Sequence, residues 1–161
     1  MPTATYSPIA SATLSATSAG VTFSNIPATY THLVLVMDST FATAGLPTIT
    51  VNGDTNAANY VRQTLRGQVS AVASQTNSTG LPTLGDSSAK AAIVAHLFNY
   101  SSTAVHKSIL SRAGSGIGNS TRITGIRWAS TSALTSILLQ PSGGPTVFEA
   151  GSTFNLYGIV S

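Results

Sequence analysis

The constraint that shapes this chain most is the spacing of its apolar residues, which return at every second position in short runs rich in β-branched side chains. Thr48-Ile49-Thr50-Val51-Asn52 alternates as a half-buried strand does, and Asn52-Gly53-Asp54 then supplies a turn. His32–Asp38 is largely apolar on both parities, as a strand covered on both sides should be. Near the end, Phe154, Leu156 and Val160 fall on one parity, with Thr153, Asn155, Tyr157 and Ile159 on the other. Further strands are predicted near 21–25, 58–66, 91–99, 105–113, 121–128 and 134–139. Ser88–Tyr100 has an alanine content that would also suit a helix. It reads as a central strand because both parities are apolar and Val, Ile, Phe and Tyr crowd its second half.

About nine strands with turn signals between them predict an all-β fold: a two-sheet antiparallel β-sandwich of the jelly-roll type, with an extended N-terminal arm. The arm covers 1–19, where Pro2 and Pro8 prevent a regular helix, and the sandwich is a single domain over 20–161. A long loop near 70–88, holding Gly80, Pro82 and Gly85, is expected to interrupt it. Extended, the arm would reach about 60 Å at roughly 3.3 Å per residue, against a core radius of gyration of about 15 Å, so it could touch a neighbouring molecule.

The chain has 161 residues, enough to bury a real core, and no Cys, which rules out disulfides, a thiolate zinc site and a thiol nucleophile. Its 23 Ser and 23 Thr stand beside only seven Lys or Arg and four Asp or Glu. A pI of 9.6 therefore reflects three excess charges among eleven, not a basic domain. Arg62, Arg66, Lys90, Lys107, Arg112, Arg122 and Arg127 form no run, so no nucleic-acid partner is expected and the charges read as solvated strand-face groups. The start lacks the basic, then apolar, pattern of a secretory signal, and Leu33–Met37 is far too short for a membrane span. A soluble protein made in a cytoplasm, with no membrane partner, is the expectation.

Catalytic signals are weak. Gly114-Ser115-Gly116 is a Gly/Ser-rich turn rather than a nucleophile elbow, and no helix follows Gly114–Gly118 to make a phosphate loop. The acids available for paired-carboxylate chemistry are Asp38, Asp54, Asp86 and Glu149, and Asp54 belongs to a turn. His32, His96 and His106 have no short metal-ligand spacing, and His96 reads as a core or interface histidine. No enzyme activity, cofactor or metal is expected. Arg122, Arg127 and the single Trp128 share one predicted strand and could anchor an interface, although alternation turns Arg122 and Trp128 one way and Arg127 the other.

The scarcity of charge is more informative. Charged residues make up 7% of the chain, against about 25% in isolated soluble domains. A surface of hydroxyl, amide, Ala and Gly can pack against its own copies without stranding ions away from water. A stably assembled structural protein, a homo-oligomer, is the expectation.

Three stretches carry a family resemblance. Val21-Thr22-Phe23-Ser24-Asn25-Ile26-Pro27-Ala28-Thr29-Tyr30-Thr31-His32-Leu33 resembles the "F-x-x-I-P-x-x-Y-x-H-L" opening of tailed-phage virion structural proteins. Asn52-Gly53-Asp54 with Ala58-Asn59-Tyr60 resembles the group's second signature, and Ala150–Ile159 resembles its closing "G-S-x-F-x-L-Y-G-I" strand. Physically, Pro27 ends a strand, and Tyr30 begins the next with its ring toward the core and its hydroxyl on a backbone group. Gly158, in an otherwise full-sized strand, implies close approach by a bulky neighbour such as an aromatic ring.

The resemblance implies a structural β-sandwich of the virion without fixing its place in the particle, and with the low charge the leading expectation is a jelly-roll capsid decoration (cement) protein on the virion surface. It would be a homotrimer that binds the major capsid protein across capsomers and stabilises the head. Expected interface residues are Thr3, Tyr6, Ile9 and Leu14 on the arm, with Arg122, Arg127 and Trp128 on the sandwich. The alternative is a tail-fibre, tailspike or baseplate module that binds host glycans through the loops at 54–60 and 114–122.

Overall fold

His32–Val51 is one strand, β3, twenty residues long, and it takes part in both layers of the molecule. This is seen in a computed structural model that describes residues 5–68, 71–77, 81–85, 88–115 and 120–160. The other strands are β1 (Tyr6–Thr13), β2 (Val21–Phe23), β4 (Tyr60–Gln68), β5 (Ala71–Asn77), β6 (Ser88–Phe98), β7 (Lys107–Ser115), β8 (Ser120–Trp128), β9 (Ile137–Ser142) and β10 (Thr153–Ile159). Among the described residues the one helical piece is a 3-10 turn at Ala57–Asn59. Ser88–Phe98 is a strand, as its aromatic and β-branched second half requires.

The fold is an all-β sandwich with unequal sheets. A large antiparallel sheet runs β1-β10-β3-β6-β7-β8-β4-β5, while β9 pairs with β2 on one side and with β3 on the other. The first part of β3 pairs with β10 and β6, its register breaks between Thr40 and Gly45, and Leu46–Val51 then pairs with β9. A strand that bends in this way turns the corner between layers. The bend keeps its backbone paired: Ala42 N donates to Val147 O at 3.1 Å and Glu149 N to Thr40 O at 2.8 Å.

The core lies between the layers. Leu33, Leu35 and Met37 of the large sheet meet Ile49, Val51, Ile137 and Leu139 of the small one, each no more than 1% exposed. Phe148 closes one end, its ring 5.3 Å from Phe41 and 4.9 Å from Phe154. The turn Asn52-Gly53 has φ of 51° and 68°, the doubly left-handed geometry that favours this pair, and Asp54 N donates back to Val51 O at 2.9 Å.

Two expectations need correcting. The N-terminal segment is not a free arm: Tyr6–Thr13 is the edge strand β1, paired with β10 from Tyr6↔Ile159 to Thr13↔Thr153. Ile9, Ala12 and Leu14 pack against the core. Pairing with the open edge of β10 keeps the segment's backbone groups bonded while Ile9, Ala12 and Leu14 leave water. The stretch 70–88 is also not one loop. Ala71–Asn77 extends the large sheet from β4, and Leu81–Gly85 extends the small layer beside β3, with Ile49 N donating to Pro82 O at 3.0 Å and Leu84 N to Pro47 O at 2.8 Å.

Candidate interaction face

Along β10, the first part of β3 and β6, the larger aliphatic side chains turn inward and the small layer covers them. At the other end of the large sheet β4, β7 and β8 still turn Tyr60, Ile109, Ile126 and Trp128 into the core, but toward Gln68, Ser115 and Ser120 their polarity inverts. β4 turns Arg62, Thr64 and Arg66 inward and Val61 and Leu65 outward, the last two 40% and 51% exposed. β7 turns Ser111 in and Leu110 out, and β8 turns Arg122 and Thr124 in and Ile123 out. Three of the inward polar side chains bond to the segment 81–85. Ser111 Oγ donates to Leu84 O at 2.6 Å, Arg122 Nη1 to Gly85 O at 2.8 Å, and Arg62 Nη1 to Thr83 Oγ1. The segment 81–85 is thus a polar lid under β4, β7 and β8. Burial, with the Arg122 guanidinium nearby, pulls the Arg62 group below its ordinary value.

Strand register assembles the outward side chains into rows. One row runs Tyr157, Val34, His96, Leu110, Gly125, Gln63, and the next runs Asn155, Val36, Val94, Arg112, Ile123, Leu65. Gly125 has no side chain, so a shallow depression opens there between Val61, Phe98, Leu110 and Arg127. A second depression lies among Tyr6, Val34, Val94, His96 and Tyr157. Arg112 Nη2 stands 3.5 Å from His96 Nε2, and Asp38 and Lys90, on the neighbouring strands β3 and β6, form a loose ion pair of 3.9 Å. Eight strands spaced about 4.8 Å apart, taken over roughly six consecutive residues of each, give an area on the order of 700 Å². A standard interface buries about 800 Å² per partner.

The expected interface residues separate on this frame. Tyr6, 51% exposed, and Arg127 lie on the outer face. Ile9 and Leu14 pack inward, and Arg122 and Trp128 are buried, at 8% and 3%. They therefore belong to the interior, while Thr3 lies outside the described residues. Lys107 also departs from a solvated strand-face role. It is 1% exposed, and its Nζ donates to the carbonyls of Ser102, Val105 and Thr131 at 2.7, 2.8 and 3.2 Å. Burial pulls its ammonium below the ordinary value.

The residues of the three signatures hold the fold. Asp54 Oδ2 accepts from Trp128 Nε1 at 2.7 Å and from Asn59 Nδ2 at 2.8 Å, and Oδ1 accepts from Asn56 N at 3.0 Å. The Trp128 bond leads in holding this carboxyl below its usual range, against the opposing effect of burial. Tyr60 donates to Asp54 O at 2.9 Å, and burial pushes its phenol up to about 12. Asn52 Oδ1 accepts from the backbone of Thr135 and Ser136 at 2.8 and 3.1 Å, which ties the β8–β9 connection to the turn. Tyr30 precedes β3 and lays its half-buried ring over Gly158. The backbone role expected of its hydroxyl falls to Tyr100, whose hydroxyl donates to Pro27 O at 2.6 Å and accepts from Tyr30 N at 3.0 Å. Tyr30's own hydroxyl is 3.2 Å from Ser7 Oγ.

No protein-family model and no curated protein matches the chain. A crystal structure of a functionally unknown protein from Saccharomyces cerevisiae aligns over 88% of this chain and 74% of that one, at 8% identity and a TM-score of 0.29. A likeness at that level carries no argument.

The acids are held apart. Asp38 is on the outer face of β3, Asp54 is locked in its turn, and Glu149 sits where its backbone bonds Thr40; Asp86 lies outside the described residues. Among the described residues, no three His, Asp or Glu side chains gather as a metal site would need. What the chain does present is the outer face. Its aliphatic residues on β4, β7 and β8 were not singled out from sequence, although Val61 and Leu65 share a parity opposite Arg62, Thr64 and Arg66. That alternation marks the two faces of the strand but not which one is covered.

Proposed function

We propose that the chain is a structural protein of a tailed-phage virion, a capsid decoration protein that binds the outside of the assembled head and stabilises it. The observation that carries this reading is the inverted polarity at one end of β4, β7 and β8, where Thr64, Ser111, Arg122 and Thr124 turn in and Leu65, Leu110 and Ile123 turn out. A lone sandwich gains by turning Leu65, Leu110 and Ile123 inward, at about 1.5–3 kcal/mol for each fully buried side chain. Strands that turn them out suit a molecule whose outer face is covered by a partner. The resemblance of Val21–Leu33, Asn52–Tyr60 and Ala150–Ile159 to virion proteins supplies the context. The low charge supports it as well, since few ions must be desolvated when such a face closes.

The mechanism is linkage. A protein that binds the assembled shell and not its free subunits stabilises the shell by mass action, and several copies joined together add avidity. Tyr6 and Arg127 remain interface residues on this reading, with Leu65, Leu110 and Ile123 at its centre.

The test is co-sedimentation with expanded, empty phage heads. Many copies should bind per head without regard to added saccharide, and Leu65→Lys with Ile123→Lys should weaken binding at least tenfold. A chain that ignores heads and instead shows saccharide-dependent binding would transfer the reading to a receptor-binding tail module.

A further inference from the structure

Both margins of the large sheet are edge strands, and they are built differently. At one margin, β1 carries Pro8 and a register shift between Pro8 and Ala10. A proline and a bulge are the devices that keep a strand edge from recruiting another strand. In the small layer, β2 is only three residues long. The other margin shows no such device among the described residues. β5 runs Ala71–Asn77, seven residues in unbroken register with β4 from Gln68↔Ala71 to Arg62↔Asn77. It contains no proline, glycine, lysine or acid.

An antiparallel edge strand offers alternate N–H and C=O groups outward along its length. Left to water they are hydrated, but they are also a template for one more strand. The outer face continues to that margin. Val72 is 75% exposed and shares a shallow depression with Leu65 and Ile123.

We infer that β5 is a self-association edge, where a second copy of this chain adds its own β5 antiparallel and continues the sheet across a two-fold axis. An antiparallel strand is complementary to its own copy, because a two-fold axis exchanges the partners. Full overlap of the seven residues centres on Ser74. Nothing in β5 is ionised, and the arginines of the two β4 strands would lie about 14 Å apart across the seam, beyond the screening length of about 8 Å at physiological salt. The joined outer faces form one surface of twice the area. This deepens the assembly reading, since it names one contact between copies. It also makes the copy number even, whereas a simple trimer would leave this edge unused.

Ser74, exposed on β5, gives the sharpest test. Ser74→Lys places two like charges directly opposite each other at the axis, as does Ser74→Glu, while a mixture of the two variants pairs opposite charges. Light scattering over a concentration series should show an even-numbered species for the wild type. Each variant alone should associate at least tenfold more weakly, and mixing them should restore association. Circular dichroism should show both variants folded, because the site is at the surface. Wild-type mass in both single variants overturns the proposal, as does an odd-numbered species alone or a monomer at every concentration. The outcomes separate from the decoration reading through Leu65→Lys with Ile123→Lys: that variant should keep β5 association and lose binding to heads. If the Ser74 variants keep both their mass and their binding to heads, the β5 contact fails and the decoration reading stands.

Discussion

The ring of Tyr30 occupies the space a side chain would need at Gly158: a β-carbon built there falls against three of its ring carbons. Gly158 is paired with Ser7 on β1 and with Leu33 on β3, so the ring rests on the central strand of a three-strand unit. The glycine is thus part of how the chain entering β3 is anchored to the sheet.

Gly158→Ala should cost about 2–3 kcal/mol, the upper range for forcing a side chain into a packed site. In a Tyr30→Ala background the same change should cost less than about 1 kcal/mol, because the obstructing ring is gone. Urea denaturation of the four members of the cycle measures the coupling. Additive costs would mean that the ring is not what requires glycine.

The Asp54 carboxyl titrates below its ordinary value, so the folded state holds this proton less tightly than the unfolded chain does. Its contribution is fully present above the unfolded value of about 3.9 and is lost as pH falls through the lowered folded value. Trp128→Phe removes the leading cause of the shift. It should cost about 2 kcal/mol at neutral pH, the value of a hydrogen bond to a charged group, and this deficit should shrink toward pH 2. Urea midpoints of both proteins across that range give the result.

Deletion of residues 2–13 should destabilise the isolated protein by about 3 kcal/mol or more. The segment pairs with β10 and packs Ile9 and Ala12 on the core. Thermal melting checks this without any partner. An unchanged melting temperature would restore a free arm.

Binding to heads through Leu65, Leu110 and Ile123 should respond weakly to salt, because these side chains are aliphatic. Raising ionic strength from about 50 to 500 mM should change affinity less than threefold, whereas a phosphate- or carboxylate-directed site would lose far more. Warming from about 5 to 25 °C should strengthen it, as burial of apolar surface does. Titrations followed by sedimentation read both.

Alternation in Thr48–Asn52, the Asn52-Gly53 turn, the aromatic approach at Gly158 and the opposite facing of Arg122 and Arg127 could all be read from the chain, because each depends on neighbours a few positions away. The single course of β3 through both layers could not. Its break at Thr40–Gly45 is repaired by 146–149, about a hundred residues downstream. Nor could the docking of 6–13 onto β10 be read, since a Ser/Thr/Ala segment carries no pattern that distinguishes an edge strand from a free arm.

Local sequence therefore determined that this chain is strands and turns, and which side chains share a face. Which of two faces is covered was set by the packing of strands that are distant in the chain. Period-two patterning labels both faces of a strand equally, and β4 shows the result: its arginines lie inside under the 81–85 segment, while Val61 and Leu65 stand outside. Side-chain direction is a property of the neighbouring strand and the layer beneath it, and those neighbours come from distant parts of the chain.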